Sequence, residues 1–105
     1  MSTISIWDEI NLGKMTLATI KERYGPESKF RVSLYHYEAS ARFSGGMQSA
    51  LCHVLRGPCR YVFADKVFDL SEGDVGSLPS GRYLFEAVGP GPVDIVLVWE
   101  LPPQT

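Results

Sequence analysis

The residues of this chain best suited to hold a metal ion are two histidines and a glutamate. His36 and Glu38 are two positions apart, so on a β-strand both side chains point to the same face. Imidazole and carboxylate groups bind zinc and related metals, and His53 could supply a third ligand. A His36/Glu38/His53 metal site is therefore possible. We favour the alternative, in which His36 is a surface or interface residue and His53 packs among apolar neighbours.

Sequence patterns typical of other catalytic mechanisms are missing. The chain has no Gly-x-Ser-x-Gly motif and no phosphate-binding loop of the P-loop type. Cys52 and Cys59 lie seven positions apart across Gly57-Pro58, which matches no CxxC metal or redox motif. We expect both cysteines to be reduced and structural, since cytosolic thiols rarely form disulfides.

Four tyrosines are a further candidate group. Tyr35, Tyr37, Tyr61 and Tyr83 could form an aromatic ligand site. Aromatic residues are also ordinary strand formers and bury large apolar areas. Packing in the core or in a dimer is therefore the preferred interpretation of these residues.

Composition excludes several classes of partner. The formal net charge is −2, the pI is about 5.6 and the basic residues form no run, which argues against nucleic acid and anionic membranes as partners. No apolar stretch approaches the roughly 20 residues of a membrane span. The N-terminus also lacks the charge and apolar pattern of a secretory leader, so we expect a cytoplasmic protein.

The chain divides into an N-terminal segment and a strand-rich part, within one domain. Residues 1–29 contain a short helix over Thr16–Tyr24, with Thr16 as its N-cap and Gly25-Pro26 as its end. Residues 30–105 show short runs of β-branched and aromatic residues between glycine and proline turns, with a break at Gly45-Gly46. This pattern is typical of a β-sandwich or β-barrel.

The turns carry a resemblance to a known family. Gly73 is followed by five residues and then by Pro79-Ser80-Gly81. Gly57 ends the segment VLRG, and fifteen residues separate it from Gly73. These glycines and this proline, at this spacing, resemble the two motifs of the small cupins. The resemblance implies an all-β fold, a small cupin-type β-barrel or jelly roll with a short N-terminal helix and a central pocket over residues 30–105.

The metal-ligand positions of the cupin motifs hold other residue types here. The positions that carry histidine and glutamate in the family correspond to Ser44, Gly46, Ala50 and Leu84. Small or apolar side chains do not bind transition metals. The resemblance therefore implies a cupin without a metal, and we expect no cofactor.

The same alignment with the cupin motifs gives the facing of each strand. The residues that it points into the barrel are Arg42, Ser44, Gln48, Ala50, Cys52, Val54, Leu84, Glu86 and Val88. We expect Arg42, Gln48, Cys52 and Glu86 to bind the ligand. In this interpretation Arg42 holds an anionic or hydroxylated group and Glu86 acts as acceptor or base. The alternative is an Arg42–Glu86 ion pair at the barrel mouth.

These residues allow three functions. The favoured one is metal-independent binding of a small organic molecule in the barrel pocket. The second is a metal-free isomerase, epimerase or cyclase, with Glu86 as base and Cys52 or a tyrosine as acid. The third is a structural or interaction barrel whose pocket is filled by side chains. The sequence leaves open whether the protein is an enzyme.

A homodimer is expected from apolar residues that the barrel does not use. Leu51, His53 and Leu55 form a row on the outer face of the expected barrel, and residues 1–29 are also rich in apolar side chains. Exposed apolar surface of this extent usually marks an interface. The alternative is that the N-terminal segment covers Leu51 and Leu55 in its own chain.

Overall fold

The computed structural model describes residues 4–24 and 29–100. These residues form nine strands and two short helices, and the strands follow the runs of apolar and polar residues between tight turns. The helices are α1 (Glu9–Leu12) and α2 (Leu17–Tyr24). The strands are β1 (Ile4–Ile6), β2 (Phe30–Tyr37), β3 (Arg42–Met47), β4 (Ala50–Arg56), β5 (Cys59–Val62), β6 (Val67–Leu70), β7 (Asp74–Leu78), β8 (Gly81–Ala87) and β9 (Val93–Glu100).

The strands form two facing antiparallel sheets. One sheet has the order β1-β7-β4-β9-β2 and the other has the order β3-β8-β5-β6. The all-β, jelly-roll type of fold expected from the sequence is confirmed. In the described residues the sheets lie face to face as a sandwich and do not close into a barrel.

Aromatic and aliphatic side chains fill the middle of the sandwich. Phe85, Tyr61, Leu70 and Ile95 are fully buried between the two sheets. The Phe85 ring lies 5.1 Å from the Tyr61 ring, centroid to centroid. The interior at this level is therefore a packed core.

The expected helix is present and begins where its cap predicts. The backbone N–H of Thr19 donates to Oγ1 of Thr16 over 3.2 Å, as expected of an N-cap. The expected end at Gly25-Pro26 lies outside the described residues. The short helix α1 was not expected; Asp8 caps it by accepting from the backbone N–H of Asn11. Neither described helix is long and apolar enough to span a bilayer.

The N-terminal segment covers the outer face of the five-stranded sheet. Trp7 and Ile20 are buried there against Val96 and Val98 of β9, and Leu51 and Leu55 pack at the edge of the same cluster. The row of Leu51, His53 and Leu55, from which a dimer interface was expected, is therefore covered by the N-terminal segment of its own chain. The homodimer stays a prediction without this support, and light scattering at micromolar concentration tests it.

His53 is enclosed within this outer layer. Its side chain is fully buried, its Nε2 lies 3.0 Å from the Tyr24 hydroxyl, and the Trp7 ring contacts it edge-on at 5.8 Å. Within the described residues, Nδ1 of His53 has no hydrogen-bond partner. Burial lowers the pKa of His53, since the charged imidazolium loses its hydration.

We expect acid to weaken this packing. In the unfolded chain His53 has a pKa of roughly 6.5. Above that pH the ring is neutral in both states. As the pH falls below it, the unfolded state binds a proton first, so the free energy of unfolding decreases until the pH passes the lowered folded pKa. Urea denaturation of the wild type and of His53→Gln, compared between pH 7 and pH 5.5, measures this loss.

His36 provides the matched control with the opposite sign. A hydrogen bond to Asp94 raises the pKa of His36, so its contribution is present below roughly pH 6.5 and is lost as the pH rises through the folded pKa. His53→Gln should flatten the loss of stability in acid, and His36→Gln should steepen it. Identical pH profiles for the two variants would contradict the burial of His53.

Candidate functional site

An open groove lies between the two sheets at one end of the sandwich. Its volume is about 460 Å³. We call it the aromatic groove, after the rings that line it. The lining residues are Arg31, Tyr35, Tyr37, Gly46, Met47, Gln48, Tyr83, Leu97, Trp99 and Glu100.

Strand alternation brings the rings into the groove. On β2, Tyr35 and Tyr37 point inward while the residues between and before them are exposed. These two rings are parallel, with centroids 6.3 Å apart. Trp99 on the neighbouring strand β9 stands at 84° to Tyr35, also at 6.3 Å. The parallel tyrosine rings and the perpendicular Trp99 ring therefore give the groove two adjoining aromatic surfaces.

The four-stranded sheet supplies the opposite wall. Tyr83 on β8 faces Gly45 on β3, its cross-strand partner. A Cβ atom at Gly45 would lie 2.9 Å from the Tyr83 hydroxyl oxygen, so a larger residue would displace the ring. The absence of a side chain at Gly45 thereby leaves room for the Tyr83 ring at the groove.

Burial favours the neutral form of two groove phenols, Tyr37 and Tyr83. It raises the pKa of Tyr37 to about 12 and also raises the pKa of Tyr83. Both hydroxyls therefore remain protonated at physiological pH and can donate a hydrogen bond. No hydrogen bond links either hydroxyl to another residue within 4–24 or 29–100.

Arg42 and Glu86 do not face the groove, contrary to the expectation from sequence. They are cross-strand partners on the outer face of the four-stranded sheet, where Arg42 is exposed. The facing of β3 and β8 differs by one residue from the expected one. Such a shift moves every side chain of the strand to the opposite face of the sheet. Leu84 and Val88, also expected inside, are 43% and 45% exposed.

The other two expected ligand residues lie in different places, Gln48 at the open groove and Cys52 in the core. Gln48 lines the aromatic groove. Cys52 is fully buried in the core, and the facing of Ala50, Cys52 and Val54 on β4 is as expected. Burial raises the pKa of Cys52 well above its ordinary value and that of Cys59 to about 12, so both remain thiols at neutral pH.

The possible metal ligands are not brought together. His36 Nδ1 lies 2.6 Å from Oδ1 of Asp94, and His36 Nε2 lies 3.5 Å from Oε1 of Glu38. His53 is buried beneath the N-terminal segment with Tyr24. Among the residues that the structure describes, no group of three or more His, Cys, Asp or Glu side chains is arranged to hold a metal ion.

Several groove residues were not identified from sequence, among them Arg31 and Trp99. Arg31 and Trp99 are cross-strand partners on β2 and β9, and the Arg31 guanidinium carbon lies 5.8 Å from the centre of the Trp99 ring. The tyrosines gave a signal as a possible ligand site. Trp99 could have been added to them only once the pairing of β2 with β9 was known.

Comparison with known proteins gives matches among solved structures. No protein-family model matches the chain, and no curated protein matches it. The Cnp3 cupin domain of Schizosaccharomyces pombe superposes with a TM-score of 0.61 at 14% identity over 74% of this chain and 57% of that one. A cupin superfamily protein of Desulfitobacterium hafniense gives 0.58 at 19% identity, over 74% of this chain and 72% of that one.

A third similar structure is the EutQ protein of Clostridium difficile. It gives a TM-score of 0.60 at 13% identity over 84% of this chain and 63% of that one. This chain thus spans less than two thirds of the Cnp3 and EutQ structures. At such identities the likeness concerns the fold, and it agrees with the resemblance of the turn motifs.

Proposed function

Since this chain has the cupin fold, we propose that its aromatic groove binds a small organic molecule and does so without a metal ion. The observation that carries the proposal is the groove itself. Its volume of about 460 Å³ lies within the range of roughly 300–1,000 Å³ typical of small-molecule sites. Aromatic walls with a few polar groups are also the usual lining of such sites.

The polar groups of the groove support orientation of a ligand. The Gln48 amide and the Tyr37 and Tyr83 hydroxyls offer neutral donors and acceptors next to apolar ring faces. A ligand with an apolar body and polar substituents would satisfy both kinds of surface.

The two alternatives have less support. The isomerase, epimerase or cyclase needs Glu86 as a base, but Glu86 lies on the outer face of the four-stranded sheet. The filled barrel agrees with the packed middle of the sandwich around Phe85. It does not explain an open groove at the end.

Tryptophan fluorescence tests the proposal, because the chain has two tryptophans and only Trp99 lines the groove. A thermal-shift screen of small organic compounds on chelator-treated protein selects binders, and a ligand at 100 times its Kd adds about 2.7 kcal/mol of stability. In Trp7→Phe, a binder should change the remaining fluorescence saturably. In Trp99→Phe, which retains buried Trp7, it should not.

Two further variants define where binding occurs. Tyr83→Ala removes one groove wall and should weaken binding about tenfold or more, a loss of about 1.4 kcal/mol. Glu86→Gln changes a neighbouring outer-face residue and should leave the Kd unchanged. Equal fluorescence changes in the two tryptophan variants, or binding that is found only after a transition-metal ion is added back to the chelator-treated protein, would contradict the proposal.

A further inference from the structure

Arg31 is a cation at the edge of the aromatic groove. Its side chain is exposed on β2, the edge strand of its sheet. Within the described residues, no carboxylate lies within 4 Å of it as an ion-pair partner. Its guanidinium carbon is 5.8 Å from the centre of the Trp99 ring, so the charge is held beside the apolar wall.

The other polar groups near Arg31 also favour an acceptor on the ligand. The protonated hydroxyls of Tyr37 and Tyr83 and the Gln48 amide can all donate hydrogen bonds into the groove. Glu100 is the one carboxylate among the lining residues. It follows Trp99 on β9, so alternation points its side chain away from the Trp99 ring, and it also borders a separate cleft of about 190 Å³.

We propose that the ligand of the aromatic groove is an organic anion, with a carboxylate that binds Arg31 and a ring-shaped apolar body that packs against Tyr35, Tyr83 and Trp99. This inference rests on the proposed function. Arginine binds carboxylates with two parallel hydrogen bonds, which would fix the orientation of the body in the groove.

An organic cation is the main competing ligand, because several aromatic rings around one cleft can form a cation site. Arg31 argues against it. Its guanidinium already lies near the face of Trp99. A second cation there would meet like charge, which is destabilising at close range.

Three probes of similar shape and different charge test the inference. They are 3-phenylpropionate, 3-phenylpropan-1-ol and 3-phenylpropylamine, titrated by the fluorescence of Trp99 in the Trp7→Phe protein at low salt. We expect the anion to bind about threefold to fivefold more tightly than the alcohol, as suits an exposed ion pair, and the amine to bind most weakly. The preference should decrease as salt is added.

A pair of arginine variants locates the charge effect. Arg31→Gln should remove the preference for the anion, so that the anion and the alcohol bind to this variant with similar Kd values. Arg42→Gln removes an exposed positive charge from the outer face of the other sheet and should keep the preference.

The outcomes separate this inference from the proposed function. Three results would contradict an organic anion as the ligand while leaving a ligand site in place. They are equal binding of the anion and the alcohol, tightest binding of the amine, and the same loss of anion preference in both arginine variants. If none of the three probes changes Trp99 fluorescence, the result contradicts both an organic anion as the ligand and the proposed function.

Discussion

Replacement of Phe85 by alanine is expected to lower the free energy of unfolding by about 3–5 kcal/mol, as for other fully buried aromatic residues. The Phe85 ring is 0% exposed. Its centroid lies 4.8 Å from that of Tyr37 and 5.0 Å from that of Phe43. Removal of the ring would leave a cavity in the middle of the sandwich, directly behind Tyr37 of the groove. Urea denaturation monitored by circular dichroism measures the loss.

The preceding residue is the matched control for Phe85. Leu84 is 43% exposed and points to the opposite face of β8, so Leu84→Ala should cost less than about 1 kcal/mol. The comparison tests the facing of this strand directly. If Leu84→Ala lowers the free energy of unfolding more than Phe85→Ala does, Leu84 and Glu86 face the interior. That result would contradict the groove as described.

Replacement of Ile20 by alanine should also be strongly destabilising, by about 2–5 kcal/mol. Ile20 is the fully buried residue of α2 and packs with Trp7, Val96 and Val98 on the outer face of the five-stranded sheet. A helix of eight residues is not stable alone, so its docking depends on this apolar contact. Equilibrium unfolding in urea measures the change.

Ile10 provides the control for Ile20 on the adjacent helix. It is 95% exposed on α1, and Ile10→Ala should change stability by no more than about 0.5 kcal/mol. Equal effects of the two substitutions would mean that α2 does not dock on the sheet. Leu51 and Leu55 would then be uncovered, and a homodimer through that row would again be expected.

The fold was predictable because its turns are local. Gly73 and Gly81 have φ values of 93° and 135°, a region that side-chain-bearing residues rarely adopt, so glycine marks these turns in the sequence itself. The helix α2 was predictable for the same reason, from the cap at Thr16. Each of these signals lies within a few residues of the structure that it specifies.

The facing of β3 was not predictable from local signals. Gly45-Gly46 was expected to break the strand, but β3 continues through both residues to Met47. A side chain at position 45 would collide with the ring of Tyr83, a residue on another strand, so the glycine reflects a contact that is distant in sequence. Since side chains alternate along a strand, a one-residue difference moves Arg42 from the interior to the surface.

The site was predictable only in part, since it depends on contacts between distant residues. Gln48 was identified, and the four tyrosines were considered as a ligand site, although packing was preferred for them and Tyr61 does lie in the core. Arg31 and Trp99 meet through the pairing of β2 with β9, and neither has a local pattern that indicates a site. The covering of His53 by Tyr24 likewise depends on where the N-terminal segment docks.

Heteronuclear NMR titration of chelator-treated protein with 3-phenylpropan-1-ol tests the central claim, that the aromatic groove binds a small organic molecule without a metal. The neutral probe makes the result independent of ligand charge. We predict saturable shifts of the Trp99 indole N–H and of the amides of Tyr35 and Tyr83, with an unchanged Kd at excess chelator. We predict no shift at Arg42 or at the Trp7 indole. Absence of saturable shifts at Trp99, or shifts confined to the outer faces of the sheets, would contradict the claim.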